Sequence, residues 1–400
     1  MRPRRSGRSS RRTGVMPAEA SERIAGRLQG RHLPGLDGVR GIAILWVMGF
    51  HFLPNSHREP GWANVLFELT GTGWLGVDLF FVLSGFLITR ILVDSREGPD
   101  YFKNFYARRC LRIFPLYYGV LLAVFGLPLV FRNLYTPEFA ENIASHQLWL
   151  WSYTTNWYLW LQGDWVLRSD WLEADHFWSL AVEEQFYLVW PFIVWRLSRH
   201  RLLPLLVLLI ALFAGIRCAN AIAGLSIPHF RMDGLFVGAL LYLLLSDEHW
   251  RPKVTRWAER CLPAGLVFFV VFTLWRDHGL RPEDRVVSGA GITLLLAVMA
   301  CGIVAALAAP EDSRRYRVLN SRVLTVFGRY SYGLYVFHVL LRPWIQERYL
   351  NAWNLPAPLT GTVAGHFVAA AILLAGSFGV AWLSYHLYEK RFLALKRYFA

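Results

Sequence analysis

The chain has 400 residues, of which 55% are hydrophobic and 16% are aromatic, and its formal net charge at pH 7 is +14. Apolar runs recur along its whole length, and a run of about 20 residues is long enough to cross a bilayer as a helix. Basic residues lie mainly in the short segments between these runs, where they set membrane orientation, so we exclude a nucleic-acid partner. The four cysteines show no spacing typical of a metal site or a disulfide framework.

Taken in chain order, the sequence predicts an all-α integral membrane protein with three parts. Residues 1–32 are rich in Arg, Ser and Gly and lack an apolar run, which predicts a basic, disordered cytoplasmic arm. Residues 33–390 form the predicted membrane domain, and residues 391–400 form a short basic cytoplasmic tail. About ten transmembrane helices are predicted, at 38–56, 73–93, 112–131, 177–196, 202–222, 231–246, 262–276, 288–309, 323–345 and 363–387.

The segment 145–162 is apolar but dominated by Trp and Tyr, which favour the membrane interface, so it is either an eleventh span or a re-entrant element. With ten spans and a cytoplasmic N-terminus, the inner segments hold 31 of the 42 Lys and Arg residues and the outer loops hold seven. An eleventh span would place the later basic loops outside. The positive-inside rule therefore predicts ten spans, two cytoplasmic termini, and a segment 145–162 that lies in or dips into the outer leaflet.

Arg40 and His51 lie eleven residues apart in the first apolar run, with no other charge between them. At about 100° per residue, both side chains point to nearly the same face of a helix. An ionisable group inside hydrocarbon is costly and by default indicates a functional site. The alternatives are a histidine that bonds to a neighbouring helix and an arginine that anchors the helix at the cytoplasmic boundary. Asp37 is predicted to cap the N-terminus of this helix.

Three arginines, Arg108, Arg109 and Arg112, precede the third predicted span on its cytoplasmic side. Arg109 and Arg112 share one helix face because they are three residues apart. Their presence is explained either by membrane orientation alone or by a clamp for the phosphates of a cytosolic anionic donor, since guanidinium groups match phosphate geometry.

The fourth span opens with a run of polar residues that is unusual for a membrane helix. His176 and Glu183 are seven residues apart and therefore lie on one face, with Ser179 between them, whereas Glu184 points about 100° away. Two adjacent acids in an apolar span need a partner or a wet cavity. The sequence leaves open whether Glu183 and Glu184 line such a cavity or pair with Arg217 or Arg231.

Near the start of the sixth span, His229 and Asp233 are four residues apart, a spacing that would suit a catalytic dyad. An ion pair between Arg231 and Asp233 explains the same residues at least as well. The sequence keeps both interpretations open for Asp233.

The ninth predicted span carries a polar stripe on one face of an otherwise apolar helix. Such a stripe inside a membrane indicates either a cavity wall or a polar seam between helices. The stripe consists of Ser331, Tyr335, His338 and Arg342.

Several familiar catalytic signatures do not occur in this sequence. There is no GxSxG nucleophile elbow, HExxH zinc motif, P-loop or GxGxxG loop, so a serine hydrolase, a zinc protease and a nucleotide-driven pump are not supported. A repeat of two halves with paired broken helices is also missing, which weakens the interpretation as a secondary transporter.

Six ordered motifs together resemble the acyltransferase-3 family, the polytopic membrane O-acyltransferases of bacteria and some eukaryotes. They cover essentially the whole membrane region, and their order makes the resemblance specific. The motifs are LDGVRGIAILWVMGFH (36–51), GVDLFFVLSGFLIT (76–89), ARRCLRIFPLYY (107–118), HFWSLAVEEQFYLVWP (176–191), FRMDGLFVGALL (230–241) and YSYGLYVFH (330–338).

The resemblance implies that Arg40 and His51 are the catalytic Arg-x10-His pair, and that Arg109 and Arg112, with Arg108 beside them, meet the acyl donor. The chain departs from the family near its end, where Arg391 replaces the usual proline after Glu-Lys. Candidates for further catalytic or acceptor-binding roles are Glu183, Glu184, His176, Tyr335, His338 and Asp233.

The function that the resemblance implies is transfer of a short acyl group, most often acetyl, from cytosolic acyl-CoA to a hydroxyl of a cell-envelope carbohydrate. His51 would act as general base or as transient acyl carrier. Acyl-CoA would be a co-substrate, with no bound cofactor or metal, and the protein would be a multi-pass protein of the bacterial inner membrane in contact with lipid. Acylation of a secondary metabolite such as a macrolide is the alternative, and a transporter or flippase is the rival from another class.

Overall fold

Helices account for the regular structure of this chain, and no strand occurs in the part that the computed structural model describes. The described residues are 16–54, 61–130, 137–166, 173–222, 231–276, 280–281, 284–345 and 362–399. This confirms the predicted all-α class.

Sixteen α-helices follow one another in these residues. Short turns of other helix types extend four of them: 3-10 turns at Thr72–Trp74 and Leu395–Tyr398, and π-helical turns at Val287–Gly291 and Tyr385–Glu389. The α-helices are α1 (Met16–Gln29), α2 (Leu36–Phe52), α3 (Gly61–Gly71), α4 (Leu75–Asp94), α5 (Tyr101–Val130), α6 (Pro137–Trp151), α7 (Thr155–Gln162), α8 (Phe177–Arg196), α9 (Arg199–Ile222), α10 (Asp233–Ser246), α11 (Arg251–Trp275), α12 (Ile292–Ala308), α13 (Arg314–Leu319), α14 (Arg322–Ile345), α15 (Val363–Ser384) and α16 (Lys390–Ala394).

Every one of the ten predicted spans coincides with a helix, namely α2, α4, α5, α8 to α12, α14 and α15. The apolar sequence favours helices there because lipid offers backbone groups no hydrogen-bond partner. Helix α10 is apolar but shorter than a typical span. Six helical stretches are long and apolar enough to cross a membrane: Gly61–Asp94, Tyr101–Leu127, Arg199–Ala221, Arg251–Trp275, Val287–Ala308 and Val363–Tyr398.

The aromatic segment 145–162 is broken into the end of α6 and the whole of α7. Tyr153 lies at the break in a left-handed conformation, with φ of 53°. Its ring stacks on that of Tyr117 of α5, with centroids 4.0 Å apart. A chain that turns at this point does not continue as one straight helix. The number of spans and the placement of the segment in the outer leaflet stay predictions.

The N-terminal arm differs from its prediction. Met16–Gln29 form the helix α1, whose Ala20 and Ile24 are fully buried, so the expectation of a disordered arm is wrong for these residues; residues 1–15 lie outside the described part. The Arg27 guanidinium donates to the carbonyl oxygens of Leu307 and Ala309 at 2.7 and 2.8 Å. Helix ends leave carbonyls unpaired, so α12 gains caps from α1 and holds it in place.

Glycines bring the central helices into backbone contact, as small residues do in membrane bundles. A Cβ added to Gly328 of α14 would collide with the backbone carbonyl of Asp37 in α2. The crossing of α4 and α10 is built in the same way. Glycines whose Cβ would collide with a facing backbone include Gly38, Gly41, Gly85 and Gly238.

Replacing Gly328 with alanine is therefore expected to lower the free energy of unfolding by about 1–3 kcal/mol, because the clashing atom is backbone and cannot rotate away. Thermal unfolding of the purified protein in detergent measures this. The matched control is Gly379→Ala in α15, where an added Cβ has no neighbour within 4 Å. Equal melting temperatures for the two variants would contradict the predicted contact.

Candidate active site

A cavity of about 220 Å³ lies between α2, α4, α5, α8 and α14. Helix α4 supplies most of its apolar wall, and all five helices contribute polar groups. Residues that are up to about three hundred positions apart thus meet in one place. The polar groups are Arg40, Ser84, Arg109, Arg112, Ser179, Glu183, Glu184, Tyr187, Ser331, Tyr332 and Tyr335.

Arg40 faces this cavity, and its Nη1 donates to Asp37 Oδ1 at 2.8 Å. The prediction that Asp37 caps the helix is wrong. Gly35 takes a left-handed conformation with φ of 86°, which costs glycine little, and the helix begins directly after it at Leu36. Asp37 therefore lies inside the first turn, where its carboxylate pairs with Arg40 and also contacts His32 Nε2 at 3.1 Å.

The three arginines of α5 separate into two groups. Arg109 and Arg112 line the cavity, and the Arg109 guanidinium lies 6.0 Å from the centroid of the Tyr187 ring. Arg108 is exposed instead, and its Nη1 donates to the Phe399 carbonyl of the C-terminal segment at 3.1 Å. Within the described part of the chain, neither Arg109 nor Arg112 forms an ion pair, so both guanidinium groups are available to an anionic ligand.

Glu183 and Glu184 are half-buried and both line the cavity. The Glu183 carboxyl lies within hydrogen-bonding reach of the hydroxyls of Ser84 and Tyr187. The alternative that these acids pair with Arg217 or Arg231 is wrong, because other carboxylates occupy both arginines. The two acids are therefore available to the cavity, as the first interpretation of the sequence has it.

Those other carboxylates belong to a buried ion-pair layer beside the cavity. Arg217 Nη1 donates to Asp233 Oδ2 at 2.6 Å, and Arg231 pairs with Asp78. The predicted pair of Arg231 with Asp233 is thus wrong, since α9 brings a different arginine to Asp233. Asp233 is not among the residues that line the cavity, and its dyad with His229 involves a residue outside the described part. In the described residues Asp233 belongs to this ion-pair layer, and a catalytic role for it stays a prediction.

Three histidines lie together beyond the cavity. The ring centroids of His51 and His338 are 4.8 Å apart, and those of His338 and His176 are 5.1 Å apart. His338 is fully buried, His176 is 5% exposed, and His51 is half-buried. None of the three lines the cavity itself. All three histidines are candidates from the sequence, but the spacing of residues along the chain could not show that they form one cluster.

A backbone carbonyl fixes each ring of this histidine cluster. His51 Nδ1 lies 2.9 Å from the Val47 oxygen, and His338 Nδ1 lies 2.7 Å from the Tyr335 oxygen. His176 uses the other nitrogen, with Nε2 at 3.2 Å from the oxygen of Val336. A carbonyl only accepts hydrogen bonds, so the contacting nitrogen carries the proton and the opposite nitrogen of each neutral ring has a lone pair.

Tyr335 joins the cavity to the histidine cluster. It lines the cavity, and its ring centroid is 5.4 Å from those of both His176 and His338. Its hydroxyl lies 2.5 Å from Ser179 Oγ, and both hydroxyls face the carbonyl oxygen of His176, at 3.1 and 2.9 Å. Tyr335 therefore contacts both the cavity and two of the imidazoles.

The polar stripe of α14 serves both roles that the sequence left open. Ser331 and Tyr335 form cavity wall, whereas His338 and Arg342 form a seam with α2. Arg342 Nη1 lies 3.5 Å from the His51 carbonyl oxygen, and the same guanidinium pairs with Glu173. This ion pair borders the histidine cluster on the side away from the cavity.

Five residues of this region are absent from the sequence-based candidates. Asp78 gave a signal, because a lone acid in an apolar span requires a buried partner. The hydroxyls of Ser84, Tyr187 and Tyr332 and the carboxylate of Glu173 gave none, since such residues are common and only the packing of the helices selects these.

Comparison with known proteins agrees with this architecture. The chain matches the family model described as "Acyltransferase domain", the acyltransferase-3 family, over residues 33–386. The chain belongs to this family. The match contains every helix of the cavity and of the histidine cluster, and acyltransferase-3 membership makes the protein an acyltransferase. No solved structure matches the chain.

Two curated relatives illustrate its place among acyltransferase-3 proteins. Peptidoglycan O-acetyltransferase OatA of Listeria monocytogenes is 26% identical over 383 residues, which are 91% of this chain and 56% of the relative. O-acetyltransferase OatA of Staphylococcus aureus is 27% identical over 337 residues, which are 80% of this chain and 52% of the relative. The chain thus spans about half the length of these relatives.

Proposed function

We propose that this chain is a bacterial membrane O-acetyltransferase that moves an acetyl group from cytosolic acyl-CoA to a hydroxyl of a cell-envelope carbohydrate. The observation that carries the proposal is the arginine-lined cavity, which Tyr335 connects to a cluster of three imidazoles. The names of both relatives support an acetyl group, and the name of the Listeria relative supports a carbohydrate acceptor.

The cavity suits the donor because acyl-CoA is a polyanion with a long, weakly polar arm. Arg109 and Arg112 would hold its phosphates, with Arg40 beside them. Arg40 and His51 are eleven residues apart on α2, hence about 16 Å along the helix axis. One acetyl group cannot touch both, so we assign Arg40 to the donor phosphates rather than to the reacting carbonyl.

The histidine cluster suits the chemical step. His51 donates its Nδ1 proton to Val47, which leaves Nε2 to accept the proton of the acceptor hydroxyl. The hydroxyl oxygen forms a bond to the thioester carbonyl carbon, and the carbon–sulfur bond then breaks. The proton passes from His51 to the departing sulfur, so the products are an acetyl ester and free CoA.

The proposed orientation follows from charge. Basic residues concentrate in the segments that flank the arginine end of the cavity, and the positive-inside rule places such segments in the cytosol, where acyl-CoA is made. Both termini would then be cytoplasmic. The histidine cluster would lie nearer the outer side, from which a carbohydrate acceptor arrives.

Acetyl transfer by the purified chain tests the proposal. The protein in nanodiscs receives acetyl-CoA with or without solubilised peptidoglycan, and a thiol reagent follows the release of CoA. We expect release that depends on the glycan and yields an ester. Folded protein that releases no CoA from any acyl-CoA would overturn the assignment of the donor.

Arg109 and Arg108 provide a matched pair of variants, because they are neighbours in the sequence and only Arg109 faces the cavity. Arg109→Gln is expected to raise the KM for acetyl-CoA at least about tenfold, the cost of one charge-assisted hydrogen bond, whereas Arg108→Gln should change it less than about twofold. Steady-state kinetics of both variants measure this. Equal KM values for the two variants would contradict the assignment of the cavity as the donor site.

A further inference from the structure

The structure assigns His176 and His338 to an acceptor subsite: their lone-pair nitrogens accept hydrogen bonds from hydroxyls of the sugar whose neighbouring hydroxyl reacts at His51. This inference rests on the proposed function and adds a specificity to it. The ligand class is a polyol, and a simple alcohol would lack the second hydroxyl.

Backbone carbonyls hold the rings of His338 and His176 through opposite ring nitrogens. His338 donates from Nδ1 to the Tyr335 carbonyl, so its lone pair is on Nε2. His176 donates from Nε2 to the Val336 carbonyl, so its lone pair is on Nδ1. The two rings thus use opposite nitrogens for the backbone, and each keeps one acceptor for another group.

The two lone-pair nitrogens lack a hydrogen-bond donor among the described residues. His338 Nε2 and His176 Nδ1 are both fully shielded and have no hydrogen-bond partner in the described part of the chain. Buried polar atoms without a partner are rare in native proteins and call for an explanation. Arg342, the nearest cation to the cluster, is directed to the His51 carbonyl and to Glu173.

The ligand that suits these two nitrogens is a sugar. In the described residues, no group of three or more His, Cys, Asp or Glu side chains is placed to hold a metal ion. Two lone pairs need two hydrogen-bond donors, and the base His51 is in ring contact with His338. A sugar supplies several hydroxyl donors on one rigid frame, so it can present one hydroxyl to His51 and others to the remaining rings.

Asn and Gln variants distinguish acceptance of a hydrogen bond from the sugar from donation of a hydrogen bond to the backbone carbonyl. The Asn amide reproduces the Nδ1 position of histidine and the Gln amide reproduces Nε2. At position 338, Gln keeps an acceptor where the lone pair is and Asn keeps only the backbone contact. At position 176 the assignment is reversed: His176→Asn keeps the acceptor and His176→Gln keeps the backbone contact.

The experiment measures binding of disaccharide–peptide fragments from digested peptidoglycan to the full chain in nanodiscs, without any acyl donor. We expect H338Q and H176N to bind within about threefold of the wild-type protein, and H338N and H176Q to bind at least about tenfold more weakly. The exposed His249, replaced by Asn and by Gln, is the control. Melting temperatures of all variants report folding.

The reversed ranking, with H338N and H176Q binding better, would show that the rings only support the backbone and would overturn the inference. Equal binding by all four variants, or no binding by the wild-type protein, would overturn it as well. Because binding needs no acyl donor, the expected ranking combined with failure of acetyl transfer would reject the proposed donor alone.

Discussion

Replacing His51 with alanine is expected to lower the rate of acyl transfer by a factor of about 10² to 10⁴ while the protein stays folded in the membrane. This range is the usual contribution of a positioned general base. The described hydrogen bond of the half-buried His51 ring is to the Val47 carbonyl within its own helix, so the substitution removes no described hydrogen bond between this ring and another helix. The measurement is kcat for CoA release by the protein in nanodiscs.

A second variant at the same position isolates the reacting nitrogen. His51→Asn retains an amide near Nδ1 that can still donate to the Val47 carbonyl, but it has nothing at Nε2. It should be as inactive as the alanine variant. His249→Ala, a change at an exposed loop residue, is the control for general effects. Turnover near the wild-type rate in either His51 variant would refute the assignment of the base.

Replacing Asp78 with leucine is expected to destabilise the protein by about 3–5 kcal/mol, because it leaves the Arg231 guanidinium buried without its carboxylate. Asp78 is 1% exposed and Arg231 is 7% exposed, so water cannot replace the lost partner. The rings of Trp74 and Trp178 lie 4.7 and 5.6 Å from the guanidinium carbon but provide only a weak substitute. Fluorescence-detected size exclusion and thermal unfolding in detergent report the folded fraction.

The double variant Asp78→Leu with Arg231→Met tests the cause of this loss. Removing both charges together should restore most of the stability, since an apolar pair of similar size replaces a buried ion pair at little cost. The exposed pair of Asp100 and Lys103 is the matched control, and Asp100→Ala should change stability by less than about 1 kcal/mol. If the double variant is no more stable than Asp78→Leu alone, the unpaired Arg231 charge is not the cause of the destabilisation.

Periodicity along one helix was sufficient to predict the features that depend only on neighbouring residues. It placed Arg40 and His51 on one face of α2, and it aligned Tyr335 with His338 on α14. Such relations hold because a helix has a fixed rotation and rise per residue. They did not reveal that Tyr335 lies between the cavity and the histidine cluster, since this position depends on how α8 packs against α14.

Choices between partners could not be predicted in the same way. The sequence suggests an ion pair between Arg231 and Asp233. In the structure, Arg231 pairs with Asp78 and Asp233 pairs with Arg217, each on a different helix. Pairing within the membrane depends on which helices are adjacent, and periodicity within one helix has no information on this. The adjacent arginines at 108 and 109 show the same limit, because only the packing of α5 directs one to the cavity and the other to the C-terminal segment.

The sequence by itself determined the helical membrane class, the positions of the apolar helices, the family and the residues with reactive side chains, because apolar runs, helix periodicity and ordered motifs are local properties of the chain. Only the tertiary structure decided the pairing of buried charges, the docking of α1 onto α12, the cavity and the contact of the three imidazoles. These depend on glycine contacts and hydrogen bonds between helices that are distant in sequence, whose free energies are realised only once the helices pack.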